Sequence, residues 1–437
     1  MQSAFRLLIL LVGSSPFFLF ADGLLFRGAL GGYAALMVFV VAWSIRPGEA
    51  AFLATLLKPA VLLALVPTVW LLLQALPIPF DSLRHPIWIS AEAALGRPIG
   101  GSISVNPGDT LIALARYLSV LAILFVASAV TIDRQRAETF LFLLAGVTTL
   151  LAALLIIHDL GGFVFLGEIS AGGARTAVAG AAALGTVLTC ATATYAIERY
   201  ETRRNRGDFG PRLFITALTA ALGAFAVCWI AVVFFTSNGV IFATACGVGT
   251  FILIAGFRRL GVPPRIGMLL MLVAIAVPAS MIARDLLAHT PDLTLRFDTT
   301  SSKPALELTQ RIVNDTGWLG SGAGTFSALL PIYQETGQTI AAATAPTAAA
   351  GLLVELGRPA LWIAVIATVA AVAWLLSGAF QRGRDSFFTA AGASCAVLLS
   401  IQAFVDASLL KSTIVVLAAS LLGLALSQSA SRTLTPS

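Results

Sequence analysis

The stretch AETFLFLLAGVTTLLAALLII, residues 137–157, holds a single charged side chain, Glu138, in 21 residues. A helix needs about 20 mostly apolar residues to cross the ~30 Å hydrocarbon core of a bilayer. The whole chain of 437 residues is similar in character, being 58% hydrophobic and 11% charged, whereas a soluble domain has about 25% charged residues. Because backbone groups inside a bilayer must satisfy one another, these spans are predicted to be helices.

The pattern repeats along the chain and predicts an all-α, polytopic membrane protein with about 12 transmembrane helices. The ninth span is followed by one large loop at 285–346, so three regions are expected at 1–284, 285–346 and 347–437. Gly357 and Pro359 interrupt one window, which predicts a kink or a pair of half-helices there. The predicted spans are 4–21, 28–45, 59–76, 109–131, 137–157, 176–197, 213–235, 239–257, 266–284, 347–379 (broken), 387–404 and 412–430.

The positive charges alternate between the two sides of these spans. With the N-terminus placed in the cytoplasm, 16 of the 27 lysines and arginines fall on the cytoplasmic side and nine outside, although the outside segments are longer. The segment ERYETRRNRGDFGPR (198–212) is the strongest cytoplasmic marker. Both termini are therefore predicted to be cytoplasmic, and the segments 77–108 and 285–346 to lie outside. Short basic clusters of this kind indicate a membrane topology and not a nucleic-acid partner.

Cysteine and histidine usage gives no sign of a metal site or a cofactor. The four cysteines all lie in apolar runs and the three histidines are scattered, without the spacing of metal ligands. The bilayer itself is the first predicted partner.

The large outer loop contains NDTGWLGSGAGTF, Asn314–Phe326, called here the glycine-rich segment. Its G-x-G-x-G pattern is not a nucleotide-binding motif. It follows the amphipathic stretch PALELTQRIVND (304–315), whereas a phosphate-binding loop precedes a helix. Two interpretations stay open: a helix C-cap and turn with Trp318 and Phe326 at the membrane interface, or a nest of backbone amides for a lipid-linked diphosphate.

Five segments together resemble the O-antigen ligase and O-antigen polymerase superfamily. The glycine-rich segment, with the helix before it, is similar to the outer-loop signature of that family, in which Trp318, Gly320, Gly322, Gly324 and Phe326 are motif positions. The other four segments follow one another in the family's order. They are VPTVWLLLQALPIPFDSLRHPIW (66–88), SISVNPGDTLIALARYLSVLAILF (102–125), LLVELGRPAL (352–361) and FVDASLLKSTIVVLAASLLGLAL (404–426).

The resemblance implies a protein of the bacterial inner membrane that acts on a polyprenyl-diphosphate-linked glycan at the periplasmic face. It implies metal-independent, inverting glycan transfer in surface polysaccharide synthesis, together with other polysaccharide-assembly proteins. Such chemistry needs cations for the leaving diphosphate, and arginine is well suited to this role. It also needs a base for the acceptor hydroxyl.

The sequence departs from the family pattern where this chemistry is expected. Pro346 and Thr347 stand where the family has a histidine and an asparagine, and Asn238 and Ser302 occupy two arginine positions. Two further hypotheses therefore stand beside a transferase. One is a catalytically degenerate member that binds glycolipid or an assembly partner. The other is a secondary transporter, which would show inverted repeats.

Several charged residues are candidates for a site. Arg116 lies about 10 Å inside a predicted span, where an unpartnered charge is costly. It either contacts a diphosphate, or it snorkels to the interface or pairs with a nearby carboxylate. Glu355 is predicted to form a membrane ion pair with Arg358 that braces the break. Asp406 and Lys411 are predicted to cap a short outer turn, and His85 is a weaker candidate. The candidate diphosphate contacts are Arg116, Arg175, Arg296, Lys303 and Arg311.

Overall fold

In the computed structural model all regular secondary structure of the described residues is helical, with no strand among them. Those residues are 1–20, 23–161, 172–204, 211–263, 265–267, 269–271, 303–334, 344–381 and 385–429. Ten helices in this part of the chain are long and apolar enough to cross a membrane, and Ser412–Ser427 is a shorter apolar helix. This is the architecture of a polytopic helical membrane protein. Most of the predicted span 266–284 lies outside the described residues.

The helices of the first half are α1 to α9. They begin and end at Gln2–Ser14 (α1), Leu24–Ser44 (α2), Pro47–Ala75 (α3), Pro86–Leu95 (α4), Pro107–Val130 (α5), Arg134–Asp159 (α6), Gly172–Arg204 (α7), Pro211–Phe235 (α8) and Asn238–Arg259 (α9). Helix α3 begins twelve residues before the predicted span. Pro59 and Pro67 lie inside the helix and do not end it. Membrane helices tolerate such prolines where neighbouring groups satisfy the freed carbonyls.

The second half contains α10 to α15, which are Lys303–Asp315 (α10), Phe326–Tyr333 (α11), Ala348–Leu356 (α12), Arg358–Gln381 (α13), Ser386–Val405 (α14) and Ser412–Ser427 (α15). Helix α10 is the predicted amphipathic helix of the large loop. The predicted break is also present, because α12 ends at Leu356 and Gly357 has a φ of +86° before α13 begins. A short 3-10 turn, Ser408–Leu410, connects α14 to α15.

Helices α7 and α14 form the centre of the bundle. In their most apolar windows 83% and 89% of residues are buried, against 17% in α2 and α3. Both are rich in alanine, glycine, serine and threonine, and small residues let membrane helices approach closely. Gly247 of α9, for example, lies directly against Leu398 of α14. The apolar core is thus built by close helix packing around these two helices.

Polar contacts connect the central helices at one end. Tyr195 of α7 donates a 2.8 Å hydrogen bond to Glu138 of α6. Arg134 of α6 forms ion pairs with Glu138 at 3.0 Å and with Asp385, just before α14, at 2.9 Å. These contacts join the start of α6 to the second half of α7 and to the residue that precedes α14.

Candidate functional site

The glycine-rich segment lies between two helices. Helix α10 ends at Asp315, the second residue of the segment, and α11 begins at its last residue, Phe326, with Thr325 as N-cap. The turn follows a helix, as predicted, and it also precedes one, which the sequence pattern did not predict. The eight residues of α11 are apolar and include Pro331, so their helical character was hidden in the sequence. The order of elements alone does not exclude an anion at this position.

The glycines of this segment are required by backbone conformation and by close contacts. Gly320, Gly322 and Gly324 have φ angles of +79°, +103° and +77°, a region that residues with a Cβ atom rarely adopt. A Cβ atom on Gly320 would collide with the carbonyl oxygen of Glu355, and one on Gly322 would collide with Ser104. The segment is a closely packed turn against neighbouring parts of the chain.

Backbone hydrogen bonds hold the segment to two neighbours. The amide of Ser321 donates to Val354 at 2.9 Å, and that of Gly322 donates to the carbonyl of Glu355 at 3.0 Å. In the opposite direction, the amide of Val105 donates to Ser321 at 2.8 Å. The segment therefore bridges α12 and the residues that lead into α5.

A buried amide side chain, Gln74 near the end of α3, makes three further bonds to this region. Its Nε2 donates to the carbonyls of Leu319 (3.0 Å) and Glu355 (3.1 Å), and its Oε1 accepts from the amide of Ala323 (3.3 Å). Gln74 is completely buried. Sequence reasoning missed this residue, although a lone amide in an apolar span is itself a signal, because polar groups inside a membrane are costly without partners.

The glycine-rich segment holds the carboxyl group of Glu355. The backbone amides of Gly324 and Phe326 bond to it, and the positive charge of Arg116 favours its ionised form. Burial nevertheless raises the pKa of Glu355 above its usual value, and burial is the largest influence, with the charge of Asp109 acting in the same direction. Buried carboxyl groups behave in this way because desolvation disfavours the charged form.

Every backbone amide from Gly320 to Phe326 thus has an acceptor within the chain. Beyond the bonds described above, Gly320 donates to Gly317 at 3.2 Å and Thr325 donates to Gly322 at 3.3 Å. A nest for a phosphate needs amides that point at the ligand. The hypothesis of a ready diphosphate nest in this segment is therefore wrong for this conformation, and the turn interpretation is the better one.

The two aromatic residues of the segment have different surroundings. Trp318 is 69% exposed, whereas Phe326 is 4% exposed and packs in a cluster with Leu308 and Leu353. The expectation of two interfacial anchors is therefore wrong for Phe326, since an aromatic residue in a loop suits a local core equally well. The guanidinium of Arg358 lies 5.6 Å from the centre of the Trp318 ring.

The expected ion pair between Glu355 and Arg358 is replaced by other contacts in the described part of the chain. Arg358 stacks over Trp318, while the charge of Arg116 acts on Glu355. Arg116 also donates to the carbonyl of Leu410 in the 3-10 turn. Arg116 therefore bonds to the backbone of the 3-10 turn, and its charge acts on Glu355.

The other candidate cations lie elsewhere. Arg175 forms a 2.7 Å ion pair with Asp159, which joins the end of α6 to the start of α7, and it is 49% exposed. Arg311 is exposed on α10, and Lys303 begins that helix. Arg296 lies outside the described residues. Arg116 and Arg175 therefore have different partners on different helices.

Asp406 is a buried cap of the turn between α14 and α15, as predicted. Its carboxyl accepts from the amide and hydroxyl of Ser408 (2.9 and 2.6 Å) and from Gln402 (3.2 Å). Its carbonyl accepts from Ala348 at 3.0 Å, where α12 begins. Burial raises the pKa of Asp406. This turn therefore supports both Arg116, through Leu410, and the start of α12.

His85 has a structural partner. It caps α4, and its Nδ1 accepts from the amide of Ile87 at 3.3 Å. Burial lowers the pKa of His85, so the neutral imidazole that this cap needs is favoured. The described residues contain no cluster of side chains suited to a metal ion.

No protein-family model matches the chain, and no curated protein matches it. The resemblance to the O-antigen ligase and polymerase superfamily therefore rests on the sequence motifs alone.

Proposed function

We propose that this chain is an O-antigen ligase or polymerase-like protein of the bacterial inner membrane, which acts on polyprenyl-diphosphate-linked saccharide at the periplasmic face. The observation that supports this proposal is the meeting of all five segments that carry the resemblance. Each of the five segments contributes one residue to the contacts around the glycine-rich segment. These residues are Gln74, Val105, Ser321, Glu355 and Leu410.

In this proposal the reaction takes place at the outer face, close to Glu355 and Arg116. The acceptor hydroxyl attacks the anomeric carbon of the donor sugar, and the bond from that carbon to the diphosphate breaks with its electron pair. The diphosphate is the leaving group, and a base takes the hydroxyl proton. The position of the family histidine is held by Pro346, so the base in this chain is a different group.

A second function is favoured by the contacts of the candidate cations. Arg116 bonds to Leu410 and faces Glu355, and Arg175 is paired with Asp159. The amides of the glycine-rich segment are also occupied. These features suit a catalytically degenerate member that binds glycolipid or an assembly partner, with the shape of the turn serving recognition.

The two functions are separated by complementation of a gene deletion. Surface polysaccharide length and attachment are compared in the deletion strain carrying the wild-type gene, Arg116→Ala, Arg175→Ala or the control Arg6→Ala, in which the lost arginine is an exposed one in α1. A transferase predicts a changed polysaccharide in the deletion and in Arg116→Ala. A binding partner predicts a changed profile in the deletion with all three variants restoring it. An unchanged profile in the deletion strain contradicts both functions.

A further inference from the structure

A cavity of about 390 Å³ lies between α12, α13, α14 and the 3-10 turn. We call it the apolar cavity. Ligand sites generally have volumes of about 300–1,000 Å³, and a cavity of only about 150 Å³ already admits benzene. The volume of the apolar cavity is therefore sufficient for a ligand and is larger than that of a packing defect.

The walls of the apolar cavity are almost entirely hydrocarbon. Two hydroxyl side chains line it, Thr368 and Ser400, and each donates to a carbonyl of its own helix. Glu355 is the charged residue of the wall. The apolar lining includes Leu352, Leu361, Val365, Val369, Ile401 and Phe404.

The dimensions of the apolar cavity match one lipid chain in one leaflet. On α13 its wall extends from Leu361 to Val372, about 16 Å at ~1.5 Å per residue. This is close to half of the ~30 Å hydrocarbon core. Helix α13 is one of the candidate spans, so the hydrocarbon chains of the bilayer are the surrounding solvent. Glu355 precedes the break at Gly357 and so lies at the Leu361 end of the cavity.

The chemistry of Glu355 selects the polar end of such a lipid. A carboxylate offers about four lone-pair positions, and the amides of Gly324 and Phe326 occupy two of them. A hydroxyl group can donate to the same carboxyl. A phosphate group would instead place a second negative charge beside it, which is unfavourable at short range.

We propose that the apolar cavity binds one hydrocarbon chain of a membrane lipid whose uncharged, hydroxyl-bearing headgroup donates a hydrogen bond to Glu355. This proposal does not rest on the proposed glycan function, because it follows from the cavity and its one charged residue. It assigns to α12, the glycine-rich segment and α13 a shared role as a lipid site.

The test uses the full-length protein in phosphatidylcholine nanodiscs. The probe is monoolein with a photoactivatable diazirine in its acyl chain, and labelled residues are located by mass spectrometry. Labelling is expected at cavity residues such as Val365 and the buried Ile401. Ala364→Phe fills the cavity and is expected to reduce this labelling at least fivefold. Ala370→Phe is the matched control, since Ala370 is an exposed residue of the same helix that does not line the cavity.

A second arm tests the headgroup with a lysophosphatidic acid that carries the same photoactivatable chain. Monoolein is expected to label the cavity at least fivefold more strongly, and Glu355→Gln is expected to remove this preference. Equal labelling by the two probes in the wild-type protein would overturn the headgroup assignment. Labelling confined to exposed positions such as Ile366, which is 65% exposed, would overturn the cavity assignment. Both readouts in the wild-type protein remain decisive if Ala364→Phe does not fold.

Discussion

Replacing Gln74 by leucine tests whether the contact between α3 and the glycine-rich segment stabilises that segment. The substitution keeps the approximate size of the side chain and removes all three of its hydrogen bonds. The carbonyl of Leu319 and the amide of Ala323 lose the side-chain partner shown in the structure. The carbonyl of Glu355 keeps the bond from the amide of Gly322. Only the Leu319 carbonyl and the Ala323 amide therefore lose the hydrogen-bond partner that Gln74 provides.

The expected cost follows from those two groups. Each buried polar group that loses its partner costs about 1–3 kcal/mol. The free energy needed to open the segment locally is therefore expected to fall by about 2–6 kcal/mol. Since 1.4 kcal/mol corresponds to a factor of ten, amide exchange at Ala323 is expected to accelerate by at least about tenfold. Hydrogen exchange with mass spectrometry of peptides covering 314–326, in detergent, measures this directly.

The control is Gln135→Leu, the same substitution at an exposed position of α6. It is expected to leave exchange in 314–326 unchanged. If Gln74→Leu exchanges at the wild-type rate in this peptide while the protein stays folded, the bonds of Gln74 do not hold the segment. The account of the site built on them then fails.

Three further predictions concern the same region. Gly322→Ala is expected to destabilise the protein by at least about 1 kcal/mol, because Gly322 has a φ of +103° and touches Ser104, whereas Gly317→Ala, with no atom near the added Cβ, is the neutral control in thermal unfolding. The pKa of Glu355 is raised from its usual 4.5, so the folded state binds the carboxyl proton more tightly than the unfolded state, and stability falls as the pH rises above 4.5. The stability difference between wild type and Glu355→Gln should therefore change with pH from 4.5 upward. A difference that stays constant from pH 4 to 8 contradicts a buried Glu355 carboxyl. Arg175→Ala removes a half-exposed pair with Asp159 and should cost less than about 1 kcal/mol. Arg116→Ala removes the bond to the carbonyl of Leu410 and a positive charge that acts on Glu355, and it should cost about 1–3 kcal/mol. Equal unfolding midpoints for the two variants would refute this ranking.

The helices were predictable because span length and apolar composition are local properties. The break at Gly357 was predictable for the same reason, since glycine and proline act on their own backbone. Helix α11 was missed because its eight residues resemble any short apolar loop. Its first residue, Phe326, was assigned to the membrane interface on this account, and it packs instead in a local core.

The site itself depended on contacts between distant parts of the sequence. Gln74 bonds to Leu319, 245 positions away, and Arg116 bonds to Leu410, 294 positions away. Neither pairing leaves a periodic or local pattern in one sequence. Arg358 is closer to Glu355 along the chain, which favoured an ion pair between them. In the fold Arg358 stacks over Trp318, and the charge of Arg116 acts on Glu355.

The position of Glu355 constrains how a diphosphate could bind at the glycine-rich segment. The amides of Gly324 and Phe326 are bonded to Glu355, so a phosphate oxygen must displace its carboxyl group to reach them. Displacement of an ionised carboxylate would leave two anions beside Arg116, whereas a protonated carboxyl is neutral and gives up its amide bonds at lower cost. The raised pKa of Glu355 reduces the cost of that protonation. Binding of a diphosphate to this segment would therefore take up a proton, while binding of a hydroxyl-bearing lipid would not.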